Sequence, residues 1–220
     1  MSAVNADFLK KTNLYLIGMM GAGKTTIGRK LAKRLNYRFL DTDALIEQSA
    51  DKPISEIFAT AGEAAFRALE TQVLAQVCAH TGLVVATGGG IVTQQMNWSY
   101  LHHGVVIWLD VPIVTLVSRL SDDTSRPLLQ QDDLSRPLLK ESEATRLTPE
   151  DPEDVELSNR LESLMAQRAD LYAQADIRIA YEGRSVGKTC DRIITALQQN
   201  LRPDAKLSAD QITINQASIN

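Results

Sequence analysis

The chain has 220 residues, 44% hydrophobic and 23% charged, which suits one globular domain or a domain with an appendage. Its net charge of -4 argues against a nucleic-acid-binding face, and no apolar run approaches the ~20 residues that cross a bilayer. The opening stretch MSAVNADFLKKTN lacks the features of a secretory signal or a transit peptide, and Cys78 and Cys190 have no CxxC spacing, so reduced thiols in a cytoplasmic protein are expected.

Short apolar runs alternate with helical patterns along the chain. LYLI at 14–17 reads as a strand, and Ile27, Leu31, Ala32 and Leu35 then recur at helical spacing over 24–35. YRFLD at 37–41 reads as a second strand. Ser55 precedes a long helical stretch that Gly62 should break in two. LVVATGGG at 83–90 is a strand running into a glycine turn, and VVIWLD at 105–110 is a fourth strand. Pro112 suits the first turn of a helix reaching Leu120. ADIRIA at 175–180 is the last strand, followed by a helix to about Asn200. Alternation of helices with buried strands that lack a polar-apolar alternation implies a five-stranded parallel sheet covered on both faces.

Two segments fall outside this rhythm. Residues 121–156 are polar, and 130–156 hold nine acidic and three basic residues, a net of -6 that leaves about +2 for the rest. SRPLL occurs there twice, at 125–129 and 135–139. Residues 201–220 are polar and without pattern, and are expected to be disordered.

GMMGAGKT at 18–25 fits G-x-x-x-x-G-K-[ST], between a strand and a helix. Glycines at 18, 21 and 23 let successive backbone N–H groups point at an anion, and the following helix adds its N-terminal dipole. Lys24 would lie on the β and γ phosphates of a nucleoside triphosphate, and Thr25 could join Mg²⁺. Gly21, Ala22, Gly23, Lys24, Thr25 and Thr26 are the expected nucleotide contacts.

Four features bear on the acceptor. In LDTDALIE, Asp41 and Asp43 would share a face if the strand continues, one holding a metal-bound water and the other an attacking hydroxyl; the alternative is that Asp43 caps the next helix. In EAAFRALE, Arg67 and Glu70 are three apart on a helix, either a surface ion pair or a glutamate steadying an arginine that meets an anionic substrate. In ATGGGIV, three glycines end a strand, where open α/β sheets bind ligands. The fourth feature is arginine supply: Arg119, Arg126, Arg136 and Arg168.

GMMGAGKTTIGRKLAKRL, FLDTDALIEQ, IFATAGEAAFRALE, ATGGGIV, RPLL and QRADLYAQAD together resemble shikimate kinases, over residues 12–200 and in order. The resemblance implies a P-loop kinase fold of the nucleoside-monophosphate-kinase type, in which ATP phosphorylates the 3-hydroxyl of shikimate in aromatic amino-acid synthesis. It implies Asp43 at the acceptor hydroxyl, Arg67 and Arg168 on the shikimate carboxylate, and Gly89 touching shikimate through its backbone. Thr25 would bind Mg²⁺ directly and Asp41 through water. Arg126 resembles the lid arginine that closes over ATP, and Arg184 and Ser185 the loop bordering adenine. A monomer is expected, with no nucleic-acid or membrane partner.

The lid departs from the pattern, because the gap from Arg126 to Arg168 is about twice the expected length. Arg126 and Arg136 compete for the lid role; Arg126 is preferred for its spacing from Arg119. The second SRPLL is a neutral duplication, or else the acidic excess modulates lid closure or recruits a partner. Two other readings are a relative that has lost catalysis and a kinase for another small metabolite. The first should lack Lys24, Asp43 or a clamp arginine, and none is missing.

Overall fold

The computed structural model describes residues 6–121 and 152–201. Most of the acidic insertion and the tail, with Arg126, Arg136 and both copies of SRPLL, lie outside the described residues.

Five strands form one parallel sheet in the order β2-β3-β1-β4-β5. β1 (Leu14–Ile17) is central, with β3 (Leu83–Ala86) and β4 (Val105–Asp110) beside it. β2 (Arg38–Asp41) and β5 (Ile177–Ala180) are the edges. Burial follows position. Every residue of β1 and β3 is buried, as strands covered on both faces require. At the β5 edge, Ile177 and Ile179 face in while Arg178 and Ala180 face out. Leu16 pairs in register with Ala86 and Ile107, and Asp41 also pairs with Ala86. The carboxyl ends of β1, β2 and β3 therefore finish level, and the segments that leave them are neighbours.

Helices cover the sheet: α1 (Lys24–Leu35), α2 (Thr42–Ala50), α3 (Ile54–Cys78), α4 (Gln95–Leu101), α5 (Ile113–Leu120), α6 (Pro152–Tyr172) and α7 (Val186–Asn200). α1 packs on α7, where Arg34 pairs with Asp191 and donates to the Gly187 carbonyl at 3.1 Å. α3 packs on α2 and α4, and α5 on α6. Gly62 interrupts α3 with φ 78° and ψ 173°, as its place in the sequence suggested. No helix among the described residues is long and apolar enough to cross a membrane. Cys78 and Cys190 are free thiols whose protonated form is favoured by burial.

Three local expectations change. β2 ends at Asp41 and a helix starts at Thr42, so Asp41 and Asp43 do not share a strand face. The Asp41 side chain accepts the Asp43 N–H and caps α2; the capping residue is Asp41, not Asp43. The insertion was expected to extend to about residue 156, but α6 already begins at Pro152, a position where a missing N–H costs nothing. α4, seven residues bearing the buried Trp98 and Leu101, had no counterpart in the sequence reading.

Gly28 shows how closely α1 sits on the sheet. A Cβ there would come 2.6 Å from the Phe39 ring and 3.2 Å from Leu16. Gly28→Ala is expected to cost about 1–3 kcal/mol of stability by overpacking. The urea midpoint should fall with an unchanged slope.

Candidate active site

The turn after β1 carries the phosphate-binding motif. Gly18 has φ 136°, and a Cβ on it would lie 2.6 Å from the Leu109 carbonyl of β4, so only glycine fits there. Lys24 opens α1 and is nearly buried; its Nζ donates to the carbonyls of Gly18 and Met19, both at 2.8 Å. The ammonium is thus held within the mouth of the turn.

Thr25 is the next residue of α1, and its hydroxyl donates to Asp41 Oδ2 at 2.7 Å. The other oxygen of Asp41 accepts the Asp43 N–H at 3.1 Å. Asp43 lies in the first turn of α2, where the helix dipole favours a carboxylate. Between these aspartates, fully buried Thr42 accepts the Gly88 N–H at 3.0 Å. One capping turn therefore links the phosphate loop to the triple glycine after β3.

That triple glycine is the meeting point of the site. A Cβ on Gly88 would lie 2.4 Å from Glu70 Oε1 and 2.8 Å from Asp43 Oδ1. A Cβ on Gly89 would come 3.3 Å from the Met20 nitrogen of the phosphate loop, and one on Gly90 would strike the Arg67 guanidinium at 2.4 Å. The Gly89 carbonyl accepts from the Tyr172 hydroxyl at 2.6 Å and from Arg168 Nη1 at 3.3 Å. Asp43, Glu70, Arg67 and Arg168 thus converge on three consecutive residues.

The ion pairs decide how Arg67 is presented. Its Nη1 meets Glu70 Oε2 at 2.5 Å, and its Nη2 and Nε meet Glu63 Oε1 at 2.9 and 3.2 Å. Arg67 and Glu70 are buried, whereas Glu63 is 61% exposed and is a weak competitor for the arginine. Burial pushes the Glu70 carboxyl up; Arg67 pulls it back down, and Asp43 adds to the rise. The pair is buried and not the surface ion pair that spacing alone allowed.

Two cavities are lined by these residues. One of about 500 Å³ is lined by the turn from Gly21 to Ile27, with Asp41, Asp43 and Gly89. Arg119, Tyr181 and Arg184 also line it. Arg119 donates to the Gly21 carbonyl at 2.9 Å and stacks over Tyr181, 5.0 Å from the ring centre. Ser185 stands at the N-terminal boundary of α7, makes no side-chain capping bond and does not line that cavity. The other cavity, about 950 Å³, is lined by Arg67, Arg168, Glu63, Gln94 and Gln167. Asp43 therefore lines one cavity and the clamp arginines the other. Thr42 and Tyr172 had no role in the sequence reading. Tyr172 follows Arg168 by four residues, so helical spacing already put both on one face.

The arrangement can bind phosphate at the turn, hold two carboxylates beside it and present two buried guanidinium groups to an anion. The shikimate kinase family model matches residues 20–198. A shikimate kinase of Nostoc sp. is 49% identical over 201 residues, covering 91% of this chain and 98% of that protein. One from Trichormus variabilis is 54% identical over 174 residues, covering 79% and 83%. Among solved structures, shikimate kinase from Acinetobacter baumannii in complex with shikimate matches with a TM-score of 0.74 at 33% identity, covering 88% of this chain and 97% of that one.

Proposed function

The chain belongs to the shikimate kinase family and is an ATP-dependent kinase, and from that premise we propose how its own residues carry the γ-phosphoryl group of ATP to the 3-hydroxyl of shikimate. The products are shikimate 3-phosphate and ADP, on the route to aromatic amino acids. The observation that carries the residue assignments is the convergence of Asp43, Glu70, Arg67 and Arg168 on Gly88, Gly89 and Gly90, against the phosphate turn.

ATP lies with its phosphates in the amide cradle of Gly21, Ala22, Gly23, Thr25 and Thr26. Lys24 exchanges its two carbonyl partners for the β and γ oxygens; it is already aimed at the turn's mouth. Arg184 and Tyr181 border the adenine end. Thr25 and Asp41 fit a magnesium ion, since both line the nucleotide cavity with oxygen atoms; Thr25 would hold it directly and Asp41 through water. When bound, the ion neutralises charge on the phosphate oxygens. Among the described residues no group of three or more His, Cys, Asp or Glu could hold a metal ion, so Thr25 and Asp41 would hold the ion only together with the nucleotide.

Asp43 accepts the hydrogen bond of the 3-hydroxyl and takes its proton as the phosphoryl group leaves ATP. Arg67 and Arg168 grip the carboxylate, and the Gly89 backbone completes the contact. Most of the acceleration comes from positioning and charge neutralisation. The chain works as a cytoplasmic monomer; light scattering at the mass of one chain is the expected result.

The test is ADP release measured across a panel of hydroxy acids including shikimate, quinate and gluconate. Shikimate is expected to turn over best; turnover of another acid without shikimate overturns the reading. Arg126 is assigned to the lid over ATP on its spacing from Arg119. Arg126→Ala should lower turnover by at least about 10²-fold and Arg136→Ala by less than about threefold. Equal losses contradict the choice of Arg126.

A further inference from the structure

We propose that Tyr172 is the positioning residue of the carboxylate clamp: its hydroxyl holds the Gly89 carbonyl so that Arg168 stays available to the substrate anion. This rests on the function proposed above and names a residue outside the site assigned there.

The Gly89 carbonyl has two donors within reach. The Tyr172 hydroxyl is at 2.6 Å, a full O–H···O bond, whereas Arg168 Nη1 is at 3.3 Å, beyond the usual N–H···O range. The carbonyl is therefore satisfied mainly by the phenol. Both donors rise from the same face of α6, one turn apart. Tyr172 has no exposed surface, and its ring stacks on Trp108 of β4 at 5.7 Å and 20°. Its hydroxyl also lies 3.6 Å from Met19 Sδ in the phosphate turn. A ring fixed by the sheet is a rigid support; Arg168 is a long chain that can move.

The peptide between Gly89 and Gly90 is the hub of the clamp. Its carbonyl faces Tyr172 and Arg168, and Gly90 lies against the Arg67 guanidinium. Across a trans peptide the Gly90 N–H points opposite to that carbonyl. Holding the oxygen fixes the orientation of the peptide that touches both arginines. Without the hydroxyl, a buried acceptor is left short of a donor, and such a group recruits the nearest one. The nearest is Arg168, which would close on the carbonyl and turn its fork from the anion.

The test compares Tyr172→Phe with the unaltered chain on shikimate, on ATP, and on a shikimate analogue whose carboxylate is replaced by a hydroxymethyl group. The expected result is a KM for shikimate raised about tenfold, with kcat and the KM for ATP within about threefold. On the analogue the two proteins should show the same KM. A KM for shikimate that does not move overturns the inference. So does an equal rise on shikimate and the analogue, or a fall in kcat alone. The phenylalanine ring keeps its stack on Trp108, so a cooperative melt is expected. A variant that fails to fold also overturns the inference, because the hydroxyl would then serve the fold. If the unaltered chain does not phosphorylate shikimate, the parent reading falls and takes this one with it. Shikimate turnover with an indifferent variant sinks this inference alone.

Discussion

Asp43→Asn is expected to lower kcat with shikimate by about 10²–10⁴-fold, the usual contribution of a positioned general base. Both KM values should stay within about threefold, because the amide still fills the same space and can still bond the hydroxyl. The fold should tolerate the change. α2 is capped by Asp41 through the backbone N–H of residue 43, which the substitution leaves in place. It also removes a negative charge beside Glu70, whose carboxyl Asp43 helps to push up. A melting temperature equal to or above that of the unaltered chain, with turnover lost, separates chemistry from folding. A fall in kcat below about tenfold would place the proton acceptor elsewhere.

Arg67→Ala should be the most costly single change in the site. Glu70 has no exposed surface and meets Arg67 at 2.5 Å. Removing one partner of a buried pair leaves an uncompensated charge and costs about 3–5 kcal/mol. The pH dependence follows from Glu70, whose carboxyl is pushed up by burial and restrained chiefly by Arg67. With the arginine gone it rises further. The folded state then binds more protons than the unfolded state, so stability falls as pH rises through the folded value. The deficit of Arg67→Ala should accordingly be smaller at about pH 5 than at about pH 8, read from urea midpoints. Adding Glu70→Gln should restore part of the loss at the higher pH. A deficit independent of pH would mean that Glu70 is not the charge left behind. The shikimate KM should rise at least about 30-fold with the ATP KM nearly unchanged, as loss of a buried charged contact to one substrate predicts.

How much of this was legible in the sequence depends on the range of the interactions involved. β1 and β3 are apolar throughout, and β4 up to Asp110, because both their faces are covered, and a run such as LVVA shows that without any partner. The phosphate turn was equally plain, since its glycines, Lys24 and Thr25 act through local backbone geometry. Gly62 was read correctly as the break in α3 because only its own φ and ψ are involved. The aspartate pair was misread locally: whether a strand continues past Asp41 is decided by the cap it forms with residue 43. Arg67 was ambiguous between surface pair and buried clamp, and burial is a tertiary property that spacing does not carry. Thr42 and Tyr172 were missed for the same reason, as each bonds the triple glycine across more than 45 residues of chain. α4 is too short for its periodicity to stand out. The lid arginine lies outside the described residues, and its assignment rests on spacing alone.

The most direct test of the central claim is a crystal structure of this chain with shikimate and a non-hydrolysable ATP analogue. The 3-hydroxyl oxygen should lie within about 2.6–3.2 Å of an Asp43 carboxylate oxygen, with the γ-phosphate beside it. The substrate carboxylate should meet both Arg67 and Arg168 at the triple-glycine loop. A carboxylate seated away from either arginine, or Asp43 turned from the hydroxyl that faces the phosphate, would contradict the account.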